Sequence, residues 1–125
     1  QDLTARKQFI DQCGADVAVS IHMNSYTDPK YYGAQTFYPP SSADSERLAK
    51  SIQNALIEVC DNNNRRTALV KKERIILFRD LKVPTVIVEC GFLSNKEEEA
   101  KLKTLEYQEL LAKGIKQGID NFFGK

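Results

Sequence analysis

The chain has 125 residues, 42% hydrophobic and 28% charged, with 18 basic residues against 17 acidic ones and a formal net charge of +1. That length fits one domain, and a domain of this size buries roughly two-thirds of the surface its unfolded chain exposes. The composition excludes disorder over most of the length, and the charge balance excludes the clustered basic face that nucleic-acid binding requires. The densest basic group, Arg65, Arg66, Lys71, Lys72 and Arg74, reads as a solvated turn. Three cysteines, Cys13, Cys60 and Cys90, make neither a disulfide framework nor a pair at metal-ligand spacing. No apolar run reaches the length of a membrane span. The chain shows no signal peptide and opens with Gln1, so it is expected to be an excised piece.

Residues 2–13 are expected to form a helix, capped by Asp2 or Thr4 and stopped by Gly14. In residues 16–22, Val17, Val19 and Ile21 alternate with Ala18 and Ser20, the pattern of a strand. A polar loop with the turn signal Asp28-Pro29 covers 24–32. A second strand spans 33–38 and ends at Pro39-Pro40. Residues 41–60 place Leu48, Ile52, Leu56 and Val59 on one face of a helix capped by Ser42 or Ser45. A strand is expected at 75–78. The continuous run at 85–89 fits a strand buried on both faces. Asn95 caps a short helix, with Glu98 at capping-box spacing. A last helix over 105–122 carries Leu111, Ile115, Ile119 and Phe122 on one stripe. Strands alternating with helices predict an α/β domain whose mostly parallel sheet has helices on both faces. The opening helix has no strand to cross over from, so further strands are expected on the N-terminal side of the sheet.

Two residues at strand ends could carry chemistry. His22 closes the first strand and Glu89 closes the buried one. In open α/β sheets ligands bind outside the carboxyl ends of strands, so both could meet in one crevice. A neutral imidazole is a good zinc ligand, and a carboxylate beside a metal can take a proton from water. The bland reading of His22 is a hydrogen-bonded structural histidine. Glu89 follows four apolar residues, where a carboxylate costs desolvation unless it is paired or metal-bound. Arg79, at the end of the expected 75–78 strand, could be that pair. A Cys90–His22 nucleophile is disfavoured because strand alternation turns Cys90 away from Glu89. The chain has no nucleophile elbow and no glycine-rich phosphate loop.

The run Ala15-Asp16-Val17-Ala18-Val19-Ser20-Ile21-His22-Met23-Asn24 resembles the SIHxN strand of the zinc-dependent N-acetylmuramoyl-L-alanine amidases. The strand Gly33-Ala34-Gln35-Thr36-Phe37-Tyr38 follows at that family's spacing. The run from Pro84 to Asn95, with Val88-Glu89-Cys90-Gly91-Phe92-Leu93-Ser94-Asn95, is similar to its GFLSN signature, and Arg6 fits the arginine of its preceding helix. The resemblance covers essentially the whole chain, and the wording is most similar to the germination-specific amidases of spore-forming bacteria.

The resemblance implies hydrolysis of the amide between the lactyl group of N-acetylmuramic acid and L-alanine. It implies one zinc ion, His22 as a zinc ligand, and Glu89 as general base and then proton donor to the leaving amine. Asn24 and Arg79 become substrate-facing or supporting candidates. It also implies peptidoglycan as partner, spore cortex in particular, and a place outside the cytoplasmic membrane. It leaves room for a regulatory protein partner that the sequence does not identify. The family's zinc site uses two histidines and a glutamate, whereas this chain has one histidine. The chain is therefore expected to be an N-terminally truncated domain that binds zinc weakly or not at all by itself. The competing expectations are a non-catalytic peptidoglycan-binding module on a metal-less amidase fold, another zinc peptidase acting on the stem peptide, and a pure interaction protein.

Overall fold

A computed structural model of the chain describes residues 3–24 and 28–125, with the backbone alone at Asn24. The order of elements is α1 (Leu3–Gln12), β1 (Ala18–Asn24), β2 (Gln35–Tyr38), α2 (Ala43–Cys60), β3 (Leu69–Val70), a 3-10 turn (Ile76–Phe78), β4 (Thr85–Phe92), α3 (Lys96–Leu102) and α4 (Leu105–Phe122). The sheet runs β1-β4-β2-β3. β1 and β4 are parallel, as are β2 and β3, but β2 and β4 are antiparallel. The sheet is thus mixed, with two of its three pairings parallel, within the α/β class.

The two faces of β4 differ as strand alternation requires. Val86, Val88 and Cys90 point into the core, joined by Leu48, Ala49, Ile52 and Leu56 of α2 and by Leu111 and Ile115 of α4. Each large side chain so buried contributes about 1.5–3 kcal/mol. Ser42 caps α2 by accepting from the Ser45 amide. α4 lies so close against α2 that a Cβ on Gly118 would stand 2.5 Å from the Ile52 Cα. Glycine weakens a helix by about 1 kcal/mol relative to alanine, and here the close approach of two backbones requires it. The Ser51 hydroxyl donates to the Gly118 carbonyl at 2.6 Å across the same contact.

On the opposite face of the sheet stand Thr85, Ile87 and Glu89 of β4, in register with Ala18, Ser20 and His22 of β1. α1 packs on the 3-10 turn, where the buried Leu77 sits, and the Lys7 ammonium donates to the Asp80 carbonyl at 3.3 Å. α1 and Leu77 line a cavity with Ala18, Ser20 and Thr85, so they cover the N-terminal end of this face only.

The strand expected at 75–78 is that 3-10 turn. The Phe78 amide donates to the Ile75 carbonyl at 3.0 Å and the Arg79 amide to the Ile76 carbonyl at 3.2 Å. Asp80 follows with a φ of 43°, which turns the chain back toward β4. The neighbouring place beside β2 is taken by β3, so the apolar Ile75–Phe78 stretch buries Leu77 by turning instead of pairing. The expected cap Asp2 lies outside the described residues. No helix among the described residues is long and apolar enough to cross a membrane.

Candidate functional site

His22 and Glu89 are direct partners across the parallel β1–β4 pair. Side chains at paired positions share a face, so the imidazole and the carboxylate stand side by side on the sheet's open face. The pairing shifts immediately afterwards, between His22 and Asn24, and such irregularities re-aim side chains where pairing ends. The Ser20 hydroxyl, two residues back on the same face, lies 2.8 Å from His22 Nε2. It restrains the imidazole ring in its plane.

Glu89 is part-exposed, yet its Oε2 is buried and has no hydrogen-bond partner among the described residues. An unpaired buried carboxylate oxygen costs free energy. Such an oxygen next to an imidazole at the open end of a sheet is the mark of a group kept for a ligand or a proton.

The row continues across the sheet. Gln35 of β2 is the antiparallel partner of Glu89. Its Nε2 donates to the Thr67 carbonyl at 2.9 Å, and its Oε1 accepts from Arg66 Nη1 at 3.0 Å. Ser20, His22, Glu89, Gln35 and Arg66 therefore form one polar band. Sequence reading missed Ser20, Gln35 and Arg66. Their one signal was phase: Ser20 lies two residues before His22, and a glutamine interrupts the apolar side of a short strand.

Arg79 is not part of this band. It is exposed and lines a groove with Pro39, Pro40 and Phe78, beyond the C-terminal end of β2. Because β2 runs antiparallel to β4, that groove adjoins the start of β4, whereas Glu89 lies near its other end. No ion pair joins Arg79 to Glu89, so the expected partnership is corrected by the direction of β2. The side chain of Asn24 lies outside the described residues. Arg6 lines the cavity of about 570 Å³ beside α1 and the N-terminal half of β1, away from Glu89. Cys90 faces the core at 3% exposure, and burial pushes its thiol up to about 11, which removes it as a nucleophile.

The loops around the band are held by Glu98. Asn95 caps α3 by accepting from the amides of Glu97 and Glu98. The Glu98 carboxylate does not return to the Asn95 amide, which donates to the Phe92 carbonyl. It accepts instead from Gly33 at 2.6 Å and from Phe92 at 3.4 Å. Gly91 leaves room for this, since a Cβ there would meet Glu98 Oε1 at 2.9 Å.

Among the described residues, no three of His, Cys, Asp and Glu gather into a group able to hold a metal ion. A catalytic zinc site uses three protein ligands and one open position. His22 and the orphaned Glu89 oxygen fit one side of such a site, not the whole of it.

An α/β sheet that sets an imidazole beside a buried carboxylate oxygen without a partner among the described residues is a frame suited to hydrolytic chemistry. Residues 1–121 match the family model for N-acetylmuramoyl-L-alanine amidase, and the chain belongs to that family. It is 34% identical over 123 residues to the germination-specific N-acetylmuramoyl-L-alanine amidase of Bacillus subtilis, covering 98% of this chain and 51% of that protein. It superposes with a TM-score of 0.94 and 43% identity on the CwlD amidase of Clostridioides difficile, solved with the GerS lipoprotein, covering 98% of this chain and 61% of that one. An N-acetylmuramoyl-L-alanine amidase of Clostridium difficile 630 gives a TM-score of 0.89 at 30% identity, covering 100% of this chain and 67% of that one. The chain thus spans about half the length of the germination-specific relative.

Proposed function

We propose that this chain carries the Glu89 side of the catalytic centre of a zinc-dependent amidase that cuts the bond between N-acetylmuramic acid and L-alanine in peptidoglycan. The observation that carries the reading is the buried Glu89 Oε2, without a partner among the described residues, beside His22 on the open face of the sheet. Family membership supplies the reaction class. The chemistry supplied by zinc, when bound, is Lewis-acid polarisation of the scissile carbonyl and stabilisation of the charge that develops on its oxygen.

The chain's own residues account for the rest. His22 offers an imidazole nitrogen as one metal ligand, and Ser20 holds the ring, as supporting groups around metal sites do. Glu89 takes the proton from the attacking water as the new C–O bond forms. It returns a proton to the L-alanine nitrogen as the C–N bond breaks. The unpaired oxygen is ready to accept without first breaking a protein hydrogen bond.

The similarity to a germination-specific relative supports spore-cortex peptidoglycan as the substrate and action outside the cytoplasmic membrane. The lipoprotein in the CwlD structure supports a regulatory protein partner for this chain too. The experiment that tests the reading is product analysis after incubation of the protein, in a form whose metal-ligand set is complete, with cortex peptidoglycan and zinc. Release of stem peptides with a free L-alanine amine, from glycan that keeps its length, is expected. Cleavage inside the stem points to a zinc peptidase instead. Binding without cleavage points to a carbohydrate- or peptide-binding module.

A further inference from the structure

We propose that Arg66 and Lys71 form a carboxylate-binding subsite that takes the anionic peptide stem and so fixes which way the substrate lies across Glu89. This rests on the amidase reading of Glu89. Glu89 sits between two unlike neighbours, His22 on β1 and Gln35 on β2. The β1 side carries serine and histidine. The β2 side leads to two cations.

Arg66 is anchored there. Its Nε donates to the Tyr32 carbonyl at 2.7 Å and its Nη1 to Gln35 Oε1 at 3.0 Å, while its guanidinium lies 4.7 Å from the Phe92 ring centre and 5.5 Å from that of Tyr31. A guanidinium has five N–H groups in a fixed fork, so these two bonds leave the other three for a further acceptor. Gln35 and Glu89 are opposite residues whose Cβ atoms lie roughly 5 Å apart, so the fork is one side chain away from the catalytic carboxylate.

Lys71 stands next along the same face. Its amide continues the β2–β3 ladder by donating to the Tyr38 carbonyl at 2.8 Å, and its ammonium lies 4.6 Å from the centre of the Phe37 ring. Phe37 is the partner of Ile87, two residues before Glu89 and on the same face. Neither Arg66 nor Lys71 belongs to any ion pair among the described residues. Two unpaired cations held against rings beside a catalytic carboxylate are a receptor for negative charge.

The two sides of the scissile amide differ in charge. The glycan side is neutral, because its sugars are N-acetylated and the lactyl carboxyl is consumed in the amide. The peptide side carries free carboxylates. The stem therefore runs over Gln35 toward Arg66 and Lys71, and the glycan runs the other way, over β1.

The test is a chemical-shift titration of the 125-residue chain with N-acetylmuramoyl-L-alanyl-D-glutamic acid and with its diamide. The acid is expected to bind about tenfold more tightly, the scale of one charge-assisted contact. The preference is expected to shrink in Lys71→Gln, in Arg66→Gln, and in about 0.5 M salt. Lys71→Gln is the cleaner variant, because Arg66 also ties Tyr32 and Gln35 in place. Equal binding of acid and diamide, no binding of either, or a preference untouched by both substitutions overturns the subsite. Cleavage is followed separately, with zinc, in a form of the protein whose metal-ligand set is complete. Acid preference without cleavage sinks the amidase reading and keeps the subsite, and cleavage without acid preference does the reverse.

Discussion

Glu98 and Gly33, 65 residues apart in the chain, are joined by a hydrogen bond of 2.6 Å from the glycine amide to the buried carboxylate. The same carboxylate accepts from Phe92 and lies 3.4 Å from the Lys101 ammonium. One acid with 2% exposure thus ties the loop before β2 to the end of β4, three residues past Glu89. Glu98→Ala strands the buried Gly33 amide and is expected to cost about 1–3 kcal/mol of stability. Glu98→Gln keeps an acceptor oxygen and is expected to cost less. Urea unfolding of both variants measures this, and equal losses would refute the clamp.

Glu89→Gln should separate function from stability. It removes the proposed general base, so the rate of peptidoglycan hydrolysis in the active enzyme is expected to fall by about 10²–10⁴. It also replaces a carboxylate whose Oε2 is buried without a partner among the described residues, so the folded chain is expected to gain up to about 1 kcal/mol. Activity assays and thermal unfolding of one preparation check both halves. A variant that is inactive because it is less stable counts against the assignment.

His22 is the one imidazole of the chain, and no complete ligand group surrounds it among the described residues. The 125-residue chain is therefore expected to bind zinc no more tightly than roughly 10 µM, far short of a closed site. His22→Ala should abolish what binding remains. Competition against a chromophoric chelator reads both values. Tight one-to-one binding that survives His22→Ala would mean that other ligands build the site.

The alkaline limit of stability follows from two thiols. Burial pushes Cys60 and Cys90 up from 9.0 to about 11, because the thiolate is desolvated in the folded state. The folded chain holds these protons more tightly than the unfolded one. Their stabilising contribution is therefore complete below pH 9 and lost as pH rises from 9 to about 11. The melting temperature should fall across that window, and less steeply in a Cys60→Ala, Cys90→Ala chain compared with its own value at neutral pH. Identical slopes would assign the alkaline limit to other groups.

The strands that carry the site were legible because their residues obey local rules. Thr85 to Val88 could only be a buried strand, and alternation put Glu89 and Cys90 on opposite faces, as found. His22 and Glu89 were expected at strand ends, but β1 runs on to Asn24 and β4 to Phe92, so their meeting comes from the register, which the sequence did not show. Gln35, Arg66 and Lys71 were not legible as neighbours of Glu89. Their closeness depends on β2 running antiparallel to β4, which no spacing within β2 encodes. Arg79 was misplaced for the same reason, compounded by Ile75 and Ile76, whose β-branched chains suit a strand, whereas only Ile75 is extended and Ile76 opens a 3-10 turn. Glu98 was read as the distal half of a helix cap. Its actual partner Gly33 is too remote for a local pattern to indicate.

The alternation along β1 and β4 makes odd and even changes in chain length unequal. Deleting one residue between Val17 and His22 would exchange the two sides of β1 upstream of the deletion relative to His22. It would carry Ser20 toward the helices or His22 away from Glu89, whichever end of the strand held its pairing. Deleting two would shorten the strand and leave every surviving side chain on its own side. Natural variation in this segment should therefore be confined to steps of two, while the loop at 28–32 has no such parity. The face that carries His22 and Glu89 is protected less by the identity of each residue than by an arithmetic of ones and twos.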